Sequence, residues 1–338
     1  MSALSRLGIV RVTHYLDWLL DKSVVLGYSR IGPAVRQAWW PTDPAPDALV
    51  GRHVVVTGAS SGLGAATATG CARLGATVHM VGRNSSRLDK AADKIRAAVA
   101  ADSSRPADLV VEQCDVSDLD AVREWAADLT GRVERLHALV HNAGALPPER
   151  TETPQGHEMV LATHVLGPCL LTHLLRPRLA ADGDARVVWV SSGGMYTQPL
   201  DTDDIESRER TWSGAQAYAR TKRMQVVLAQ MWADRFRVDH IAVHAMHPGW
   251  ADTPGVLASI PRFHRIAGPL LRDPEVGADT VVWLVAAPGG SVTAGASGVF
   301  WHDRRPRPIV YAPWQKESPG ERARLWQAVS DAIGVDAT

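Results

Sequence analysis

From residue 53 to about residue 301 the chain alternates between two patterns. Short runs with apolar centres, "HVVVTG" (53–58), "TVHMVG" (77–82), "DLVVEQCDV" (108–116), "LHALVHNAG" (136–144), "ARVVWVSS" (185–192), "DHIAVHAMHPG" (239–249) and "SGVFW" (297–301), predict buried strands. Between them, apolar positions recur at helical spacing and predict helices over 63–74, 85–100, about 118–131, roughly 154–180, 214–235 and 275–287. The serines at 85–86 are read as the cap of the second of these. Strands alternating with helices predict an α/β fold: a doubly wound (Rossmann) parallel sheet of about seven strands with helices on both faces. Ligands of such sheets bind beyond the carboxyl ends of the strands. The turns there are "TGASSGLG", "GRN", "CDVSD", "HNAG", "SSGGM" and "HPGWADT", and they hold every candidate chemical group discussed below.

The flanks break this pattern. Residues 1–50 form an N-terminal extension, separated from the repeating part by the Pro- and Asp-rich hinge "WWPTDPAPDALVG". Residues 51–303 form the Rossmann domain. Residues 304–338, with a helix expected over 318–333, form a C-terminal extension read as covering the substrate side. The N-terminal extension is rich in apolar and aromatic residues and is expected to fold back over the core or a partner subunit. The competing reading, a segment lying on a membrane surface, is weighted lower because its charges are mixed.

Composition narrows the picture. With 36 basic and 36 acidic residues in 338, no net field favours nucleic acid. Cys71, Cys114 and Cys169 are too few and scattered for a disulfide framework or zinc site, and fit a reducing cytoplasm. No stretch reads as an uninterrupted membrane span and no signal peptide is read. No metal is expected, and the sequence leaves a homo-oligomer open.

Lysine is scarce: of 36 basic residues only Lys22, Lys90, Lys94, Lys222 and Lys316 are lysines. One of them stands in "AYARTK", four positions after Tyr218, on the same helix face. An ammonium beside a phenol lowers the phenol's pKa, which suits a tyrosine that moves protons.

In the turn after the first strand, Gly58, Gly62 and Gly64 lie among Ser60, Ser61 and Leu63. Glycines there let a pyrophosphate approach the backbone and the helix N-terminus, as in dinucleotide sites, although the spacing is G-x-x-x-G-x-G. The second strand ends in Gly82, Arg83 and Asn84, without the carboxylate that would hold the ribose hydroxyls of NAD. Arg83 can pair with a 2′-phosphate, so NADP(H) is favoured over NAD(H). Asp115, followed by Val116, is placed to meet the adenine or else to cap the helix near 118, where Ser117 is the better cap candidate.

Taken together, "TGASSGLG", "HNAG", "VSS", "YARTK" and "HPGWADT", in this order, resemble the short-chain dehydrogenase/reductase family over about residues 51–300. The "GRN" turn, the long gap between Ser192 and Tyr218, and "HPGWADTPGV" resemble its retinol-dehydrogenase-like branch. The resemblance implies an oxidoreductase acting on a small apolar, lipid-like alcohol or carbonyl. It implies Tyr218 as acid/base and Lys222 as the residue that lowers its pKa and binds the nicotinamide ribose. Ser192, with Ser191 as the weaker choice, would hold the substrate oxygen. Asn142, Ala143 and Gly144 would line the adenine side, Pro248 and Gly249 would border the nicotinamide, and Thr253 would hold its carboxamide. One position departs: "THVLGP" puts His164 where the family has a proton-relay Asn. An imidazole can donate and accept, so His164 is carried as a catalytic candidate beside a plain packing role. Trp212 and Trp250 suggest an apolar pocket or else simple packing. Two rival readings remain: a cofactor-binding regulatory or scaffold protein with little turnover, supported by His164, and a nucleotide-sugar epimerase, whose usual G-x-x-G-x-x-G turn is absent.

Overall fold

A computed structural model describes residue 13 and residues 15–103, 105–253, 265, 267–288 and 297–336. The start of the N-terminal extension and the end of "HPGWADTPGV" lie outside the described residues.

Eight strands form one sheet in the order β3-β2-β1-β4-β5-β6-β7-β8. They are β1 (His53–Thr57), β2 (Thr77–Gly82), β3 (Asp108–Gln113), β4 (Ala138–His141), β5 (Arg186–Val190), β6 (Ala242–Met246), β7 (Phe300–His302) and β8 (Arg305–Pro306). The first seven run parallel, as expected. The eighth is a two-residue antiparallel addition to β7, too short to register as a periodic run. The longer helices after β1 are α1 (Gly62–Arg73), α2 (Ser85–Asp102), α3 (Leu119–Arg132), α4 (Met159–Ala180), α5 (Gly214–Arg235), α6 (Pro274–Ala286) and α7 (Pro319–Ile333); the N-terminal extension adds the short helices Val24–Tyr28 and Ile31–Arg36.

Alternate strand residues feed two apolar layers. Val54 and Val56 join Ala68 and Cys71 of α1, Leu88 and Ile95 of α2 and Leu284 of α6 on one face. Val55 and Leu139 join Leu129 of α3, Leu170 of α4, Val227 of α5 and Trp326 of α7 on the other. Helix α4 is long and apolar enough to cross a membrane by composition, which corrects the expectation of no such stretch. Most of it is buried, however, because it is the central helix of the second layer.

Several expectations change in detail. The cap of α2 is Asn84, whose side chain accepts from Arg87 N at 2.9 Å, rather than a serine. The cap of α3 is Asp118, which accepts from Asp120 N and Ala121 N, rather than Ser117. Helix α7 packs on α4, including its turn Ala162–Leu166, and on α5. The segment before it borders the carboxyl end of β5: Tyr196, just past Ser192, donates to Pro308 O at 2.6 Å and Gln315 Nε2 donates to Tyr196 O.

The N-terminal extension packs on the domain through buried ions. Arg36 pairs with Asp17 at 2.8 Å and Asp303 at 2.7 Å. Arg272 pairs with Asp303 at 2.6 Å and donates to the carbonyls of Gly27, Tyr28 and Pro248. A buried cation with one carboxylate and several carbonyls leaves few of its N–H groups unsatisfied, as such burial requires.

Candidate active site

The order 3-2-1-4-5 reverses direction between β1 and β4, and the crevice of a doubly wound sheet opens at such a point. The turn after β1 is closely packed there. Gly58 has φ +68°, and a Cβ on it would lie 2.8 Å from Ala143 Cα. A Cβ on Gly64 would lie 2.3 Å from Gly58 O and 2.5 Å from Asn142 Nδ2. Only glycine fits at either position. Asn142 fixes the arrangement: its Nδ2 donates to Thr57 O at 2.9 Å, and Thr57 Oγ1 accepts from Asn142 N and Ala143 N. Gly62 opens α1, and the cap residue Ser61 gives its first turn no side-chain acceptor. A bare glycine backbone leading into a helix N-terminus fits a pyrophosphate, and the chain therefore passes this test for a dinucleotide.

Around that cradle the other predicted residues fall on the same edge. Asp115 accepts from Ser117 N and Ser117 Oγ at 3.0 and 2.7 Å, which orients its carboxylate without making it the helix cap. Val116 is buried, and its carbonyl lies so close to Gly167 that a Cβ there would be at 1.8 Å. Arg83 is exposed and its side chain has no partner among the described residues. Pro248 and Gly249 are held by Arg272, which donates to Pro248 O at 3.1 Å. Thr253 is partly buried at the end of the described turn. Gly144 lies beside His164, whose Nε2 would be 3.3 Å from a Cβ on it.

Tyr218 and Lys222 lie one turn apart on α5, with the Lys222 ammonium 5.4 Å from the Tyr218 ring centre. Ser192 stands at the end of β5, its Oγ accepting from Gly194 N at 3.1 Å, beside the Tyr218 phenol. Ser191 is different: it is buried and donates to Lys222 O at 2.8 Å. Geometry thus assigns the facing hydroxyl to Ser192 and gives Ser191 the job of fixing α5 to β5.

Electrostatics here run against one sequence expectation. Burial pushes the Tyr218 phenol above its usual range, with the bond from Ser192 pulling it down. Burial also brings Lys222 down to about 7, so it is not the permanent cation that would depress its neighbour. Its Nζ donates to Val190 O at 2.8 Å and to Gln225 Oε1 at 3.1 Å. Gln225 Nε2 in turn donates to His164 O at 2.8 Å.

His164 lies in a π-helical turn, Ala162–Leu166, with its ring edge-on to Tyr218 at 5.3 Å. Its Nε2 accepts from Ala145 N at 3.0 Å, so the proton is on Nδ1, which donates to Thr221 Oγ1 at 2.8 Å. Both nitrogens are occupied, and burial with the nearby Lys222 holds the ring neutral, well below the usual histidine range. Through these two bonds His164 ties the loop after β4 to α5, a positioning role that stands beside the relay reading.

Sequence reasoning missed Gln225, Thr221 and Tyr28. Gln225 had a signal, since it follows Lys222 at i+3 on the same face. Tyr28, from the N-terminal extension, had none: it packs on His247, Trp250 and His302 and lies against Gly193. The two tryptophans also have packing partners. Trp212 donates to Pro148 O at 3.2 Å and Trp250 meets Tyr28. A cavity of about 410 Å³ lies elsewhere, among α4, α5 and α7, and does not touch these residues.

The glycine cradle at the switch point and Ser192, Tyr218 and Lys222 all fall within residues 52–260, which match the short chain dehydrogenase family model. The chain is a short-chain dehydrogenase/reductase. It is 40% identical over 285 residues to Dehydrogenase/reductase SDR family member 12 of Bos taurus, covering 83% of this chain and 86% of that protein. It is 30% identical over 303 residues to Retinol dehydrogenase 14 of Mus musculus, covering 86% and 88%. Among solved structures, an uncharacterized protein from Mycobacterium paratuberculosis superposes with TM-score 0.67 at 26% identity, covering 89% of this chain and 98% of that one. A structure described as a short chain dehydrogenase from Escherichia coli CFT073 complexed with NADPH gives TM-score 0.59 at 25% identity, covering 78% and 100%. The chain is thus an oxidoreductase of a family that uses a nicotinamide cofactor.

Proposed function

We propose that this short-chain dehydrogenase/reductase interconverts an apolar, lipid-like alcohol and its aldehyde or ketone, with NADP(H) preferred to NAD(H). The observation that carries the chemistry is Ser192 beside Tyr218 at the carboxyl edge of the sheet, with the Lys222 ammonium 5.4 Å from the Tyr218 ring centre. The cofactor, when bound, supplies or accepts a hydride. The cradle of Gly58, Gly62 and Gly64 would hold its pyrophosphate, with Asp115 and Asn142 on the adenine side. Ser192 donates a hydrogen bond to the substrate oxygen and stabilises the negative charge that develops on it. Tyr218 donates a proton to that oxygen in reduction. Its raised pKa keeps it a phenol, the form a donor needs, at neutral pH. Lys222, held by Val190 O, orients the site beneath Tyr218 and supplies charge when protonated.

Two points support the finer reading. Exposed Arg83 beside Gly82 offers a cation and no carboxylate where a 2′-phosphate would lie, and a relative in structure carries NADPH. The retinol dehydrogenase relatives act, by name, on an apolar alcohol. The test is an NADPH-consumption screen over aldehydes, ketones and oxo-lipids. Turnover with at least one apolar carbonyl is expected, and cofactor binding with no turnover on any would favour a scaffold role.

A further inference from the structure

Exposed large apolar side chains are concentrated in one place. Of the thirteen among the described residues, nine lie between residues 15 and 35: Tyr15, Leu16, Trp18, Leu19, Val24, Val25, Leu26, Ile31 and Val35. Two more, Tyr311 and Trp314, come from the C-terminal segment that meets them, where Lys22 sits 4.2 Å over the Tyr311 ring. Trp18 and Tyr15 are 53% and 61% exposed and stack on each other. Such a concentration of exposed apolar side chains in one segment of a folded protein marks an interaction surface.

The charges on this segment are sorted by side. Its only two acids between residues 15 and 38, Asp17 and Asp21, both turn inward. Asp17 pairs with Arg36 and Arg307, and Asp21 with Arg307 and the Tyr311 hydroxyl. The cations left exposed on the segment are Lys22 and Arg30. The mixed charge of the sequence therefore resolves into an outer face that is apolar, aromatic and cationic, with no exposed acid.

That combination decides between occupants. A second copy docked about a two-fold axis would set this face against itself, cations included, with no acid to pair them. An anionic lipid surface instead takes the apolar side chains into its interface, seats Trp and Tyr at the headgroup level and attracts the cations. We infer that residues 15–35, with Tyr311 and Trp314, form a surface that seats the protein on an anionic membrane. The opposite side of the same segment carries Tyr28 onto Gly193, so the seated face is one layer from the catalytic edge. The inference does not depend on the reaction proposed above, and its test needs no turnover.

Sediment the full chain with vesicles of phosphatidylcholine alone and of phosphatidylcholine with phosphatidylglycerol, at low and high salt, for the wild type, Leu19→Asp/Val25→Asp and Lys22→Glu/Arg30→Glu. NADPH binding checks that each variant folds, and light scattering gives its mass. The wild type is expected to pellet with the anionic vesicles, less so at high salt, and each double variant to partition about tenfold less. Equal partition onto both vesicle types overturns the anionic assignment. A chain that stays in the supernatant with both, whether as monomer or as a dimer that Leu19→Asp/Val25→Asp dissociates, overturns the membrane surface altogether.

Discussion

Tyr28 lies directly on Gly193: a Cβ at Gly193 would stand 2.5 Å from Tyr28 Cε2 and 3.2 Å from Cδ2. Gly193 follows Ser192, so a residue of the N-terminal extension packs on the turn that carries the hydroxyl proposed to face the substrate. Gly193→Ala is expected to lower kcat and stability together. In a Tyr28→Leu background the added methyl has room, and the same substitution should cost little. Neighbouring sites couple by about 0.5–3 kcal/mol, so a double-mutant cycle in thermal melting and turnover will read the contact. Additive losses would show that Tyr28 does not set this turn.

Cofactor choice should follow the end of β2. The nearest atoms to a Cβ on Gly82 are Leu88 side-chain carbons at 3.4–3.6 Å, an ordinary contact distance, so Gly82→Asp should fold normally. Its carboxylate would repel a 2′-phosphate and suit ribose hydroxyls. Titration of both cofactors at equal ionic strength should show NADPH tighter for the wild type and the preference reversed or abolished in Gly82→Asp. Equal NADH and NADPH affinities in the wild type would remove Arg83 from the account.

Lys222 makes stability pH-dependent with a definite sign. Its folded pKa, about 7, lies below the unfolded value of 10.5. The unfolded chain therefore binds the extra proton between the two values, and stability rises with pH across that window. Below about pH 7 the cost of the buried ammonium is fully present. Melting curves of wild type and Lys222→Met from pH 6 to 10 should show the variant's relative advantage largest at low pH and shrinking as pH rises. A constant difference would mean that Lys222 titrates normally.

For His164 the structure predicts silence near neutrality. Its ring is neutral with both nitrogens bonded, so wild type and His164→Asn should give superimposable pH–rate profiles between pH 6 and 8. His164→Ala removes the acceptor of the partly buried Ala145 N–H, at a cost of about 1 kcal/mol, and should melt earlier. Loss of a titration near neutrality in His164→Asn would favour the relay reading.

These residues also show where sequence reading succeeds and stops. The strands were legible because a sheet covered on both faces demands apolar runs, and the centres of β1, β2, β4, β5 and β6 supply them. The cradle was legible because Gly58 and Gly64 sit where no side chain fits. Tyr218 and Lys222 were legible because helix geometry alone brings i and i+4 together. Caps were less so: Asn84 and Asp118 compete with adjacent Ser85 and Ser117, and only backbone direction decides between them. Least legible were long-range partners. Nothing in the sequence joins Tyr28 to Gly193, Asp17 to Arg307, or His164 to Ala145 N, and those contacts changed the reading of the extension and of His164.

The account rests most heavily on Tyr218 as the proton donor beside Ser192. The direct measurement is NADPH oxidation by wild type and Tyr218→Phe with one apolar carbonyl substrate, alongside NADPH affinity for both proteins. The phenol's proton is predicted to matter to turnover and not to cofactor binding, so Tyr218→Phe should keep its affinity and lose about 10²–10⁴-fold in kcat. Turnover of Tyr218→Phe at the wild-type rate, with NADPH bound equally well, would contradict the account.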